Sequence, residues 1–145
     1  MKRAIAIDGS PTKDGRTANL LAELGIEIFR LADGVEKARE AILNSDVIVF
    51  ATPTHWFNVS ALMKELIDSL PEAPDYPCDG KTAYFLAVCE EDGAQQAINQ
   101  MMAPLNHMGF RIPPYASYFY NVNMAEKSEE QWQLNGMAHL QQRLG

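Results

Sequence analysis

Apolar positions fall in short blocks that alternate between two periods. "KRAIAID", Lys2 to Asp8, is a near-continuous apolar run stopped by Gly9, the pattern of a buried strand. Arg16 to Leu24 changes to helical spacing and is stopped by Gly25. Ile26 to Leu31 alternates as a strand, and Val35 to Ser45 is helical again. "DVIVFATP", Asp46 to Pro53, is a second buried strand. Asn58 to Leu70 is amphipathic, with Val59, Leu62, Met63, Leu66 and Ile67 on one helical face. A Pro-rich loop then leads to a third apolar strand, "TAYFLAVC", Thr82 to Cys89. Gly93 to Met108 predicts a helix with a kink at Pro104. Arg111 to Tyr120 is extended but interrupted by Pro113 and Pro114. Ser128 to Leu144 is a last helix, opened by a capping box of Ser128 and Gln131.

Strand and helix thus alternate five times with no repeat or linker between them. That order predicts one domain over residues 1–145, a parallel sheet covered by helices on both faces. In such open sheets ligands bind beyond the carboxyl ends of the strands, where the strand order reverses. Three loops qualify: Gly9 to Thr17, Thr52 to Asn58, and Cys89 to Gly93.

The first loop collects donors. It carries the hydroxyls of Ser10, Thr12 and Thr17, the cations Lys13 and Arg16, and two glycines, all ahead of a helix N-terminus where backbone amides favour an anion. Its two readings are a phosphate site and an ordinary capped turn with surface cations. It lacks the Gly-Lys-Ser/Thr of a nucleoside-triphosphate loop and the G-x-G-x-x-G of a dinucleotide fold. Ser10 stands where small tyrosine phosphatases have a cysteine nucleophile, and no base accompanies it. Phosphate binding without phosphate chemistry is what these residues support.

The second loop sets His55, Trp56 and Phe57 beside backbone donors. This suits a flat heteroaromatic ligand; the same rings could instead fill a core or a subunit interface. The third loop carries Glu90, Glu91 and Asp92, either a solvated turn or a negative field that lowers the reduction potential of a neighbouring redox ring.

Charge narrows the partners. With 12 Lys and Arg against 19 Asp and Glu, the net charge is −7, which argues against nucleic acid and anionic membrane surfaces. Cys78 and Cys89 form neither a disulfide framework nor a metal spacing, and His55, His107 and His139 are scattered. No metal site is expected. The opening apolar run is too short for a secretory leader, and reduced thiols suit the cytoplasm.

"GSPTKDGRTANLL" and "ATPTHWFNVSALMKELIDSL", in this order, resemble the flavodoxin-like NAD(P)H-dependent FMN reductase family, which includes flavodoxin-family quinone reductases and iron–sulfur flavoproteins. The matching positions are Gly9-Ser10-Pro11-Thr12 with Gly15-Arg16-Thr17, then Pro53-Thr54-His55-Trp56-Phe57-Asn58, then Lys64-Glu65-Leu66-Ile67-Asp68. The resemblance implies a flavodoxin-like three-layer α/β sandwich with a five-stranded parallel sheet of order 2-1-3-4-5. It implies FMN at the carboxyl edge and NAD(P)H as co-substrate. By matching position, Ser10, Thr12, Arg16 and Thr17 would hold the phosphate, with Lys13 or Arg16 compensating for the family's usual arginine at Thr12. Pro53, Thr54, His55, Trp56, Phe57 and Asn58 would border the ring, and Glu91, Asp92 and Gly93 would lie near it. His55 stands in for the usual tyrosine, Asn58 for the usual glycine, and Asp8 puts a carboxylate beside the phosphate loop. The cysteine cluster of the iron–sulfur members is absent.

The expected activity is electron transfer from NAD(P)H through flavin to a quinone, flavin or similar small acceptor, with His55 the one candidate for a protonation role. The alternatives are a flavodoxin-type electron carrier, and a degenerate flavodoxin-like protein that binds no flavin and serves as an interaction module. Trp56, Phe57, Tyr115, Tyr118, Phe119 and Tyr120 predict exposed aromatic surface near the sheet's end, hence a homodimer or higher homo-oligomer.

Overall fold

The computed structural model describes residues 2–70, 75–126 and 130–145. Five strands form a single parallel sheet: β1 (Ala4–Asp8), β2 (Glu27–Arg30), β3 (Val47–Pro53), β4 (Thr82–Cys89) and β5 (Ser117–Asn121). Their order across the sheet is β2-β1-β3-β4-β5, so the reversal of strand order falls between β1 and β3. Register is continuous there, from Ala4 opposite Val47 to Asp8 opposite Ala51.

The helices are α1 (Arg16–Ala22), α2 (Val35–Leu43), α3 (Ala61–Ser69), α4 (Ala94–His107), the short α5 (Val122–Met124) and α6 (Glu130–Leu144), with a 3₁₀ turn at Leu31–Asp33. α2, α3 and α4 pack side by side on one face of the sheet. α1 and α6 lie on the other, with Glu23 beside Leu134, Met137 and Ala138. With both faces covered, the central strands are apolar except near their ends. Ile5, Ile7, Ile48, Phe50, Phe85 and Leu86 are wholly buried, and Phe50 stacks on Phe85 and meets Phe110 edge-on. No described helix is long and apolar enough to cross a membrane.

Element boundaries depart from the periodicity where local hydrogen bonding takes over. α1 ends at Ala22 rather than Leu24, because the amides of Glu23, Leu24 and Gly25 turn back three residues instead of four. α3 begins at Ala61 rather than Asn58, since Asn58 is committed to a tight turn with His55. α4 runs through Pro104. In the last extended segment only Ser117–Asn121 pairs as a strand, and Arg111 makes one isolated bridge to Thr82. Pro113 and Pro114 lie between, outside the ladder. α6 is described from Glu130, and the expected cap Ser128 lies outside the described residues.

Candidate functional site

The carboxyl ends of β1, β3 and β4 deliver the three loops side by side. β1 ends in Asp8, whose side chain is fully buried. Its Oδ1 accepts the Ser10 amide at 2.9 Å, while its Oδ2 is buried and has no partner among the described residues. Burial pushes the Asp8 carboxyl above the usual carboxylate range, against the opposing pulls of the Ser10 amide and the Arg30 charge.

Gly9 allows the chain to turn tightly here. A Cβ at this position would lie 2.9 Å from the Ala51 carbonyl and 3.1 Å from Met63 Cε. Its amide donates to Ala51 O at 2.8 Å, and its carbonyl accepts the Ser60 hydroxyl at 2.6 Å. Ser60 Oγ also accepts the Met63 amide as the N-cap of α3, and the Ser60 amide donates to Thr52 Oγ1. One buried serine thus joins the ends of β1 and β3 to the start of α3.

Several first-loop donors serve the loop itself. The Thr12 amide donates to Ser10 Oγ at 3.1 Å, and the Gly15 amide to Lys13 O at 2.9 Å. Gly15 caps α1 with no side-chain acceptor. Among the described residues, the amides of Arg16, Thr17 and Ala18 make no hydrogen bond. Thr12 and Lys13 are exposed, while Ser10 and Thr17 are buried. Among the described residues, the donors of this turn left without an acceptor include the three helix-start amides and the hydroxyls of Ser10, Thr12 and Thr17, beside the two cations. That set fits a phosphoester.

Arg16 also reaches across the sheet edge. Its guanidinium lies over the Tyr120 ring, 5.5 Å from the centroid. Tyr120 in turn donates its hydroxyl to Glu130 at 2.9 Å. Burial, then the hydrogen bond from this hydroxyl to Glu130, raise the Tyr120 pKa, and Arg16 pulls the other way. Nothing in the local sequence points to this chain of contacts.

The second loop is a two-residue reversal. The His55 and Asn58 amides each donate to the other's carbonyl, at 2.9 and 3.0 Å. Trp56 and Phe57 occupy the centre with φ of 52° and 67°. Both lie in the left-handed region that a type I′ turn demands and that Asn-Gly ordinarily fills. Asn58 fixes the turn, donating Nδ2 to Trp56 O at 2.6 Å and accepting from Gln100 Nε2; Gln100 Oε1 accepts the Val59 amide. The Thr54 amide continues the ladder to Val88 O at 2.7 Å, leaving the Thr54 hydroxyl buried and unpartnered among the described residues.

The third loop fits beneath the second. Gly93 has φ of 95°, and a Cβ there would meet Phe57 Cδ1 at 2.9 Å and Phe57 Cα at 3.0 Å. Asp92 Oδ1 accepts the Gly93 amide at 2.8 Å, and Asn121 Nδ2 donates to Glu91 O at 2.7 Å. Between these loops lies a cleft of about 490 Å³, lined by Thr54, His55, Trp56, Phe57, Glu90, Glu91 and Asp92. Pro53, the last residue of β3, is half-buried beside it. A hollow of about 550 Å³ between α3 and α4 is lined by Lys64, Gln100, Pro104 and Met108 among others, and by none of the first-loop donors. The first cleft is likewise lined by none of those donors, but it lies at the same carboxyl edge, at the ends of β3 and β4, and β3 neighbours the β1 strand that delivers them.

The aromatic surface is smaller than the sequence suggests. Trp56 is 91% exposed, Phe57 45%, Tyr115 77% and Phe119 39%, but Tyr118 and Tyr120 are buried. Their side chains turn under α6, where Tyr118 pairs with His139 and Tyr120 with Glu130. Tyr115 precedes the first residue of β5, at the opposite end of the strand from the three loops. Residues the sequence did not single out are Ser60, Gln100 and Asn121, and Tyr120 was expected only as exposed aromatic surface. Ser60 had a readable signal, a serine near the start of the amphipathic run; the others act through tertiary contacts.

A 2-1-3-4-5 parallel sheet with helices on both faces, and an anion-ready turn beside an aromatic cleft at its carboxyl edge, define a flavodoxin-like protein. The chain belongs to the NADPH-dependent FMN reductase family, whose model matches residues 27–124. The first loop precedes that span, so its reading stands on the geometry above. A curated relative, an NAD(P)H-dependent FMN reductase of Pseudomonas aeruginosa, is 36% identical over 52 residues, which cover 36% of this chain and 28% of that protein. Among solved structures, the apo form of an NADH:FMN oxidoreductase superposes with a TM-score of 0.74 at 22% identity, over 99% of this chain and 90% of its own. The Trp repressor binding protein of Bacillus subtilis gives 0.75 at 23% identity, over 95% and 96%. These two likenesses establish the fold.

Proposed function

We propose that the protein binds FMN and passes electrons from NAD(P)H to a quinone, flavin or similar small acceptor. The observation that carries this reading is the placement, on one sheet edge, of the uncapped start of α1 and the cleft walled by Trp56 and Phe57. Ser10, Thr12, Lys13, Arg16 and Thr17 would hold the phosphate. Pro53, Thr54, His55, Trp56, Phe57, Asn58, Glu91, Asp92 and Gly93 would border the ring.

Bound FMN supplies the hydride chemistry; the protein supplies binding and field. The amides of Arg16, Thr17 and Ala18 orient the phosphate. The strained turn holds Trp56 and Phe57 as faces that exclude water from one side of the cleft. Glu90, Glu91 and Asp92 set a negative field at its rim, which opposes accumulation of a reduced anion. His55, at the exposed end of the turn, is the residue that could move a proton at the rim.

The fully exposed Trp56 supports a homo-oligomer in which a second copy covers this edge. The buried, reduced Cys78 and Cys89 support a cytoplasmic location. The unpartnered Asp8 favours one rival, a flavodoxin-like interaction module without flavin.

Titration of FMN into the purified protein, followed by anaerobic NAD(P)H, tests the reading. A bound flavin spectrum, quenched flavin fluorescence and bleaching by NAD(P)H alone are expected. Bound flavin that NAD(P)H does not bleach would indicate an electron carrier. A protein that leaves FMN spectrum and fluorescence unchanged would indicate the interaction module.

A further inference from the structure

Asp8 is out of place beneath a phosphate site. Its carboxyl is fully buried and directly supports the loop through the Ser10 amide. Its second oxygen has no partner among the described residues. Arg30 stands opposite it in the β1–β2 register, yet the two make no ion pair among the described residues, and Arg30 Nε is itself buried and unpartnered. The other neighbours supply little compensation. β3 presents Ala51 in register with Asp8, and α3 presents the neutral Ser60 and Met63 to adjoining Gly9. The cations of the loop and α1, Lys13 and Arg16, are exposed, and Arg16 is drawn toward Tyr120. A dianionic phosphate seated on this loop would therefore share a poorly screened site with a carboxylate. Two like charges at close quarters are resolved by protonating one of them.

We propose, on the reading that the loop holds the phosphate of FMN, that Asp8 is a positioning residue that is neutral in the bound state. The loop takes up the phosphate together with a proton on Asp8 Oδ2, so FMN binds with proton uptake and riboflavin without it. The proton turns an orphaned acceptor into a donor and leaves the bond from the Ser10 amide to Oδ1 in place. The sign follows from linkage: a ligand that binds the protonated form loses affinity as pH rises. Between the pKa values of Asp8 in the free and bound proteins, the FMN Kd should rise about tenfold per pH unit.

The test is flavin fluorescence titration of the wild-type chain and of Asp8→Asn with FMN and with riboflavin, from pH 7 to 9.5. In this range the phosphate is already dianionic. Asn keeps the acceptor for the Ser10 amide and places a permanent donor where Oδ2 stands. The expected result is an FMN-to-riboflavin Kd ratio that climbs with pH in the wild type and stays level in Asp8→Asn. Calorimetry of the wild type at pH 8, in two buffers of different ionisation enthalpy, gives a count that needs no variant and no measurable riboflavin affinity. About one proton per FMN is expected. A count of zero, a level wild-type ratio, or an equal climb in both proteins would overturn the proposal while leaving the FMN reading intact. Wild-type protein that binds neither flavin would overturn the FMN reading itself, and this inference with it.

Discussion

At the scale of single residues, the second loop carries strain that its sequence does not excuse. Left-handed backbone costs an ordinary residue about 1 kcal/mol or more. Trp56 and Phe57 both adopt it, where asparagine and glycine would do so cheaply. Phe57 recovers part of the cost by packing on Gly93, but Trp56 touches little and is 91% exposed. Such strain persists where a side chain is wanted in a fixed place. Trp56→Asn should therefore stabilise the free protein by about 1 kcal/mol. It should also weaken FMN binding several-fold through the lost aromatic face. Denaturant unfolding and flavin titration read the two effects. Stability and affinity falling together would show that Trp56 serves packing instead. The aromatic residues of this loop were legible as candidates from the sequence. The turn that displays them was not, because Trp-Phe is the opposite of a turn-forming pair.

At the scale of elements, the strands and helices followed the apolar period, and the discrepancies came at their ends. The clearest case is α3. Its amphipathic pattern runs back to Asn58, yet the helix waits for Ser60, since the amide and carbonyl of Asn58 are already paired with His55. Ser60 then satisfies Gly9 O and the Met63 amide at once. Ser60→Ala should cost about 2 kcal/mol, combining a lost cap with a buried carbonyl left bare. Urea unfolding measures it, and a loss under about 0.5 kcal/mol would mean that water replaces the hydroxyl. β5 shows the same limit. Its two prolines marked a break, but which residues resume pairing was set by β4, with Phe85 opposite Ser117.

At the scale of the whole molecule, charge works against the fold more than for it. The chain carries −7. The ion pairs among the described residues, Arg3–Glu27, Arg39–Glu36 and Lys64–Asp68, are solvent-exposed and worth little each. Screening should relieve more repulsion than it removes attraction. Raising NaCl from about 0.02 to about 0.3 M, which shortens the Debye length from ~20 to ~6 Å, should lift the Tm by a few degrees. A melting curve that moves down instead would show that the surface pairs matter more than the net charge.

What the sequence determined by itself was the succession of elements, because burial on both faces of a parallel sheet requires unbroken apolar runs and two-sided cover requires amphipathic helices between them. From that succession came the edge where a ligand could bind and the residue types waiting there. Tertiary structure alone decided which of those groups are free. It tied Asn58 to Gln100, drew Arg16 onto Tyr120 and left one oxygen of Asp8 without a partner. The reason is physical: a backbone pattern repeats every two or four residues and can be read locally, whereas a hydrogen bond between residues distant in the chain exists only once the sheet has brought them together.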